Sequence, residues 1–334
     1  MMKRHFLKTS DLSPVEFEQI LKSAREFKFG NSETRPLDGK SVGLVFFNPS
    51  LRTRASMQVG IHELGGHSVI LEPGDTSWTI EHRDGAVMDS DKTEHAAEFV
   101  RVLGRYVAAI GVRSFAGMKD WEEDRADPMI SSFAKYSDKP IINLESAMHH
   151  PCQAMADIMT IREKKGQGRK RVLLTWAYHP KPLPMAVPNS FALATAQAGH
   201  DLVIAHPERY RLDEELLAEV EQTAQHSGGS VTFTDDVNAA YDGVDVVYAK
   251  SWGARDFYGS PERDIEHRGG FRSDWIVDSE KLARGNDAIF MHCLPVRRNV
   301  IVTDSVIDSA NSVVIDQAEN RLHVQKAIMN MFIN

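Results

Sequence analysis

The chain has 334 residues, 42% of them hydrophobic and 26% charged, with a formal net charge of -8. That length is generous for one core, so two domains are expected, in an ordinary soluble globular protein. A negative balance without a long basic run argues against wholesale nucleic-acid or membrane-surface binding, and neither is an expected partner.

Met1-Met2-Lys3-Arg4-His5-Phe6-Leu7 runs straight into polar Lys8-Thr9-Ser10-Asp11, too short an apolar stretch for a signal peptide, and no span approaches transmembrane length. Cys152 and Cys293 lie far apart and suggest no disulfide framework, so a cytoplasmic setting is expected. Asp11-Leu12-Ser13-Pro14 starts a helix whose apolar face is Phe17, Ile20, Leu21, Ala24 and Phe27. Ser41 to Phe47 reads as a buried strand and Thr53 to Leu64 as a helix, with Asn48, Pro49 and Ser50 ending one and capping the other. A helix N-terminus bearing Ser50, Arg52, Thr53 and Arg54 suits an anion: free N–H groups, the positive dipole end and two guanidiniums all favour phosphate. Ser68 to Leu71 is a second strand. The polar stretch from Glu72 to Asp91 carries a solitary Trp78, which in so long a loop can reach a ligand or a neighbouring subunit.

Glu94 to Leu103 reads as a helix, and Tyr106 to Val112 as a strand ending at Arg113. Pro140 to Glu145 is a fourth strand, and His149-His150-Pro151-Cys152-Gln153 opens the next helix. Three strand ends thus deliver polar groups, where open parallel sheets bind ligands. After the basic break Lys164 to Arg171, strands at Val172–Trp176, Leu202–Ala205, Val231–Phe233, Val244–Ala249 and Ile289–His292 alternate with helices at Ala186–Ala198, Asp213–His226 and Asp236–Tyr241. The alternation predicts parallel sheets with right-handed crossovers: two doubly wound α/β halves, a site in the cleft between them, and a last helix, Ala318 to Phe332, returning to the first half. There is no Gly-x-Gly-x-x-Gly for a dinucleotide and no Walker-type loop for a kinase. A phosphate cradle, a histidine–glutamine pair and a third arginine fit acyl-type transfer from an acyl phosphate. Arg113 and His150 would polarise the carbonyl oxygen while proximity does the rest.

These residues resemble a known family. Ser50-Leu51-Arg52-Thr53-Arg54 resembles the Ser-x-Arg-Thr-Arg motif of aspartate and ornithine carbamoyltransferases, His150-Pro151-Cys152-Gln153 their His-Pro-x-Gln, and His292-Cys293-Leu294-Pro295 the ornithine-type His-Cys-Leu-Pro. The resemblance runs the whole length and implies two α/β domains of that type. Residues 1–150 with helix 318–334 would bind carbamoyl phosphate, and 151–317 the acceptor. It also implies a homotrimer with shared active sites, no metal and no organic cofactor.

In plain ornithine enzymes a carboxylate meets the free α-amine of the acceptor. Val247-Tyr248-Ala249-Lys250-Ser251-Trp252-Gly253 puts Lys250 there instead, which repels a free α-ammonium but suits a blocked amine with its carboxylate. This resembles the N-acylornithine branch, as do Phe46 to Ser50 and Asn320-Arg321-Leu322. The implied acceptor is N-acetyl-L-ornithine, giving N-acetyl-L-citrulline in arginine biosynthesis, with N-succinyl-L-ornithine as the alternative acceptor and a non-catalytic small-molecule-binding protein as the rival reading. The N-acetyl enzymes carry Glu where this chain has Thr93 and a modifiable Lys where it has Ile301. The carry-over assigns Ser50, Leu51, Arg52, Thr53 and Trp78 to the phosphate, Trp78 from a neighbouring subunit. Arg113, His150 and Gln153 take the carbamoyl end, and Thr93, Glu145, His179, Lys250, Cys293, Leu294, Arg298 and Arg321 the acceptor or the join. Arg113, His150 and Cys293 would be catalytic.

Overall fold

The computed structural model describes residues 4–30, 34–74 and 76–333. Met1 to Lys3, at the head of the segment weighed as a signal peptide, and Asp75 in the Trp78 loop lie outside them, as does Asn334. The chain divides into two compact units, Met1–Gly117 with Glu122–Cys152 and Arg321–Asn334, and Met118–Trp121 with Gln153–Asn320.

In the first unit, β1 (Ser41–Phe46), β2 (His67–Leu71), β3 (Ala109–Arg113) and β4 (Ile141–Glu145) form a parallel sheet in the order β2-β1-β3-β4. Strands β1 and β3 are apolar along nearly their whole length, as befits strands covered on both faces. Gly111 of β3 lets Leu44 and Leu144 close over it: a Cβ there would stand 2.9 Å from Leu144 and 3.1 Å from Leu44. Helix α1 (Pro14–Lys28) starts at a Ser13–Glu16 capping box and buries Phe17, Ile20, Leu21, Ala24 and Phe27, the face read from the sequence. Helix α2 (Arg52–Glu63) follows β1.

Helix α3 (Ala96–Tyr106) starts later and runs further than the sequence suggests. Glu94 and His95 instead pair in parallel with Ile80 and Glu81, and His95 Nδ1 accepts from Ala97 N at the helix start. Tyr106, read as a strand residue, ends this helix on its exposed side, and β3 begins only at Ala109. Between β3 and β4 two helices escaped the sequence reading, α4 (Trp121–Arg125) and α5 (Pro128–Tyr136); Pro128 opens the latter, where a missing N–H costs nothing.

In the second unit, β5 (Arg171–Trp176), β6 (Asp201–Ala205), β7 (Ser230–Thr234), β8 (Val246–Lys250) and β9 (Ile289–Met291) are parallel in the order β9-β8-β5-β6-β7. The helices here are α6 (Pro151–Lys165), which begins in the first unit, α7 (Ala186–Gln197) and α8 (Glu214–Ser227), then α9 (Pro261–Gly269), α10 (Ser279–Ala283) and α11 (Asp304–Ile307). The expected helix Asp236–Tyr241 contracts to one 3-10 turn at Ala239–Tyr241, because Asp236 Oδ1 takes the N–H groups of Asn238 and Ala239, both at 3.0 Å. The last helix, α12 (Val314–Ile333), starts four residues before Ala318 and passes into the first unit at Arg321.

In each sheet the chain first builds to one side and then crosses back, so the order reverses between β1 and β3 and between β5 and β8. These reversals leave crevices at the carboxyl ends of the flanking strands. No helix of the described residues is long and apolar enough to cross a membrane.

Candidate active site

At the first reversal the turn after β1 is tied to the end of β3. Phe47 N donates to Arg113 O at 2.9 Å, and Asn48 Oδ1 accepts from Phe115 N at 2.7 Å. The expected Ser50 cap is not formed. Leu51 is the N-cap residue of α2, in helical conformation and without a side-chain cap bond, so the first N–H groups are not taken by a local hydroxyl. Leu51 itself is 78% exposed.

The two arginines of the motif part company. Arg54 Nη1 donates to Glu72 Oε1 at 2.5 Å, whereas the Nε of Arg52 is buried with no partner. Arg321, from α12, donates to Thr53 Oγ1, tying the last helix to the first turn of α2. Arg113 is 9% exposed; its Nη1 donates to Glu145 Oε2 at 2.5 Å and its guanidinium lies 4.3 Å from the Phe115 ring centroid. Glu145 therefore spends its charge on Arg113.

His150 is 3% exposed, with Nε2 3.5 Å from Glu145 Oε2. Burial, then the fields of Arg321 and Arg113, hold its pKa well below the ordinary histidine value. The ring is neutral at neutral pH, so its approach to Glu145 is no ion pair. A residue the sequence reading missed sets the turn before it. Asp127, at φ 48°, accepts from Ala147 N at 3.1 Å and Met148 N at 3.4 Å and from the Ser146 hydroxyl. Burial pushes that carboxyl up to about 6. Cys152, buried beside this turn, has its thiol pushed up to about 12 by burial and is inert as a nucleophile.

Trp78 and Thr93 share one excursion of this unit. Trp78 is 63% exposed. Thr93 is also exposed, and its N donates to Thr79 O at 3.1 Å, just before the short pair Ile80–Glu94.

At the second reversal His179 follows β5 and Lys250 ends β8. Arg297 Nε donates to His179 Nε2 at 2.9 Å, so the imidazole accepts there and its other nitrogen carries the proton toward Lys181 O, 2.8 Å away. Burial lowers the pKa of His179, and Arg297, Lys250 and Arg268 lower it further. Arg298, the arginine carried over from the family, faces elsewhere: it is exposed and binds Asp304 at 2.9 Å and Asp308 at 2.6 Å. Its neighbour Arg297 is the one against His179. Leu294 sits at φ 56°, a left-handed conformation rare for a residue of its kind, one position after Cys293, which is half-buried.

The scaffold behind His179 and Lys250 was also invisible to motif reading. Arg268 of α9 is completely buried and pairs with Asp264 at 2.6 Å. It donates to the carbonyls of His179 at 3.2 Å, Lys181 at 2.9 Å and Trp252 at 3.2 Å, joining the segments that follow β5 and β8. Its guanidinium lies against Trp176 and Tyr210. The one signal available was the i, i+4 spacing of Asp264 and Arg268, which in so charged a segment reads as a surface pair. Gln153, read with His150 from one motif, falls in the second unit, where its Nε2 donates to Asp157 Oδ1 at 2.8 Å.

Comparison with known proteins places this geometry. The family model for the carbamoyl-P binding domain of aspartate/ornithine carbamoyltransferases matches residues 4–163, and that for the Asp/Orn binding domain matches residues 185–332. N-acetylornithine carbamoyltransferase of Xanthomonas campestris pv. campestris is 49% identical over 98% of this chain and 97% of its own length. Among solved structures, acetylornithine transcarbamylase complexed with acetylcitrulline superposes with a TM-score of 0.96 at 48% identity, covering 99% of each chain. A variant of N-acetyl-L-ornithine transcarbamylase, with one glutamate replaced by alanine and complexed with carbamyl phosphate and N-succinyl-L-norvaline, gives 0.95 at 49% identity, over 98% of this chain and 99% of the other. With matches across both units and over nearly its whole length, the chain belongs to the aspartate/ornithine carbamoyltransferase family.

Proposed function

We propose that the chain transfers the carbamoyl group of carbamoyl phosphate to the δ-amine of N-acetyl-L-ornithine, giving N-acetyl-L-citrulline and phosphate in arginine biosynthesis. The observation that carries this reading is in the first unit. An uncapped helix start with Arg52, Arg113 and Arg321 around it meets a histidine that stays neutral. Backbone N–H groups of Ser50 to Thr53, with Arg52, take the phosphate. The amine attacks the carbonyl carbon, and Arg113 and neutral His150 donate to the oxygen on which charge develops. The C–N bond forms, the C–O bond to phosphate breaks, and the amine proton leaves with the phosphate. Gln153 holds the carbamoyl nitrogen. In the second unit Lys250, His179, Cys293 and Leu294 receive the acceptor, and Arg297 serves in the place first given to Arg298. Lys250 favours an acceptor with a blocked α-amine and a free carboxylate.

A specific observation favours N-succinyl-L-ornithine as a second reading. Thr93 is exposed and uncharged on the Trp78 excursion, where the N-acetyl enzymes carry glutamate. Variants of such an enzyme with a glutamate replaced by alanine, proline, serine or valine are found with N-succinyl-L-norvaline. The assembly we propose is a cytoplasmic homotrimer in which Trp78, 63% exposed on its own subunit, completes a neighbour's site.

The test is a citrulline-forming assay with L-ornithine, N-acetyl-L-ornithine and N-succinyl-L-ornithine side by side. N-acetyl-L-ornithine is expected to give the highest kcat/KM and L-ornithine the lowest. Preference for the succinyl form would move the chain to the second reading, and equal turnover of ornithine would end both. Full activity of a monomer by light scattering would rule out the shared site.

A further inference from the structure

Helix α6 carries Gln153 and Asp157 four residues apart, so both side chains lie on one face. Asp157 and Gln317 of α12 are completely buried, and Gln153 is 1% exposed. Asp157 Oδ1 receives two amides at once: Gln153 Nε2 at 2.8 Å and Gln317 Nε2 at 2.7 Å. An oxygen that accepts two N–H groups fixes the orientation of both amides, since each must turn its nitrogen inward and its oxygen away. The outward oxygen of Gln317 accepts from His292 N at 3.0 Å, and His292 Nδ1 accepts from Leu294 N at 2.9 Å. The outward oxygen of Gln153 is buried and has no partner among the described residues. A buried acceptor of this kind waits for a donor.

We propose that Asp157 is a positioning residue that holds the Gln153 amide as a hydrogen-bond acceptor, so that the enzyme reads the –NH2 of its acyl phosphate, and that the same carboxylate fixes the His292–Leu294 turn through Gln317. This rests on the reading of Gln153 as the residue at the carbamoyl end. The consequence is discrimination between acyl phosphates of equal shape. Carbamoyl phosphate brings an N–H donor to Gln153 Oε1, whereas acetyl phosphate brings a methyl group and leaves that oxygen buried and unpaired. With asparagine at 157 the Gln153 amide is free to turn over, and its NH2 then faces the ligand.

The test compares carbamoyl phosphate, acetyl phosphate and inorganic phosphate by calorimetry on the full-length wild type, Asp157→Asn and Gln153→Leu. Wild type is expected to prefer carbamoyl over acetyl phosphate by about tenfold or more, the weight of one hydrogen bond to a desolvated acceptor. Asp157→Asn is expected to lose most of that preference while keeping its affinity for inorganic phosphate. A merely structural role for Asp157 would weaken all three ligands in proportion, and that result, or an undiminished preference, overturns the proposal. If Gln153→Leu keeps the full preference, or wild type fails to bind carbamoyl phosphate, the underlying functional reading fails instead. Should Asp157→Asn not fold, a neutron crystal structure of the wild-type carbamoyl phosphate complex, which tells amide oxygen from nitrogen, decides. The Gln153 oxygen on the carbamoyl nitrogen supports the proposal, and the reversed amide overturns it.

Discussion

The two sheet reversals do similar topological work with opposite materials. At the first, between β1 and β3, the functional groups come from short stretches at strand ends, and charge is left unspent: Arg52 has a buried Nε with no partner and α2 begins without a side-chain cap. At the second, between β5 and β8, the charge is mostly used up inside the scaffold. Arg268 binds Asp264 and three carbonyls, and Arg297 binds His179. The first site, as proposed, takes an anion; the second holds its own loops still. An anion with a large charge repays a guanidinium nitrogen kept without a partner, whereas an amine and a small acyl group need shape more than field.

The comparison breaks most visibly at Arg268. Arg268→Leu leaves the buried Asp264 carboxylate without its cation, held only by the Tyr210 hydroxyl and Ala254 N, and is expected to cost about 3–5 kcal/mol of stability, measured by chemical denaturation. Activity surviving that loss should show a raised KM for the acylornithine with little change in carbamoyl phosphate affinity. Arg268→Lys should rescue little, because an ammonium cannot reach four acceptors from a planar fork. A loss confined to carbamoyl phosphate binding would show that the two sites are not built differently after all.

At the first site, Arg52→Ala should keep the fold and weaken carbamoyl phosphate by about 1.5–3 kcal/mol, the worth of a charged hydrogen bond. Unchanged binding in calorimetry would mean that the helix start alone attracts the anion. Thr93→Glu should lower the ratio of kcat/KM for N-succinyl-L-ornithine over N-acetyl-L-ornithine. Two like charges at ~4 Å repel by roughly 4 kcal/mol at an effective dielectric of about 20, and a third of that is about tenfold. A ratio that does not fall would place acyl recognition elsewhere. The smallest effect expected is on thiol chemistry. With its thiol pushed up to about 12, Cys152 is thiolate in about one molecule in ten thousand at pH 8, so iodoacetamide should leave it unmodified in the native protein. Half-buried Cys293 should react first, and labelling of Cys152 at equal speed would contradict its burial.

The same contrast explains what the sequence could tell. The strand, turn and helix from Ser41 to Glu63 were legible because the three are consecutive and each leaves a local trace within about a dozen residues. The face of α1 was legible because a period of 3.6 leaves a local trace. Ser50 was misjudged as a cap because residue type is visible in sequence and backbone angle is not. The Asp236 helix was overextended for a related reason, since an Asx turn and an N-cap share their residues. Arg268 and Asp264 were missed because PERDIEHRG reads as a solvated charged helix, and only the return of α9 to the ends of β5 and β8 buries it. Asp157 and Gln317 meet across 160 positions, beyond the reach of any local pattern.

Leu51 at the N-cap of α2 has an evolutionary consequence. Aspartate or serine there, with the backbone turned from the helical angles of Leu51 to the extended ones a cap needs, would complete the helix start and add about 1 kcal/mol of stability. The added oxygen would also occupy the N–H groups proposed to take the phosphate, and a carboxylate would repel it. The position is therefore one where selection for robustness and selection for turnover pull in opposite directions. Leu51→Asp should melt higher as the free protein, yet gain far less than the parent from added phosphate, which stabilises the parent by about 2.7 kcal/mol at a hundred times its Kd. In this sense the substrate is the missing cap, and the free enzyme is kept slightly unfinished so that binding can finish it.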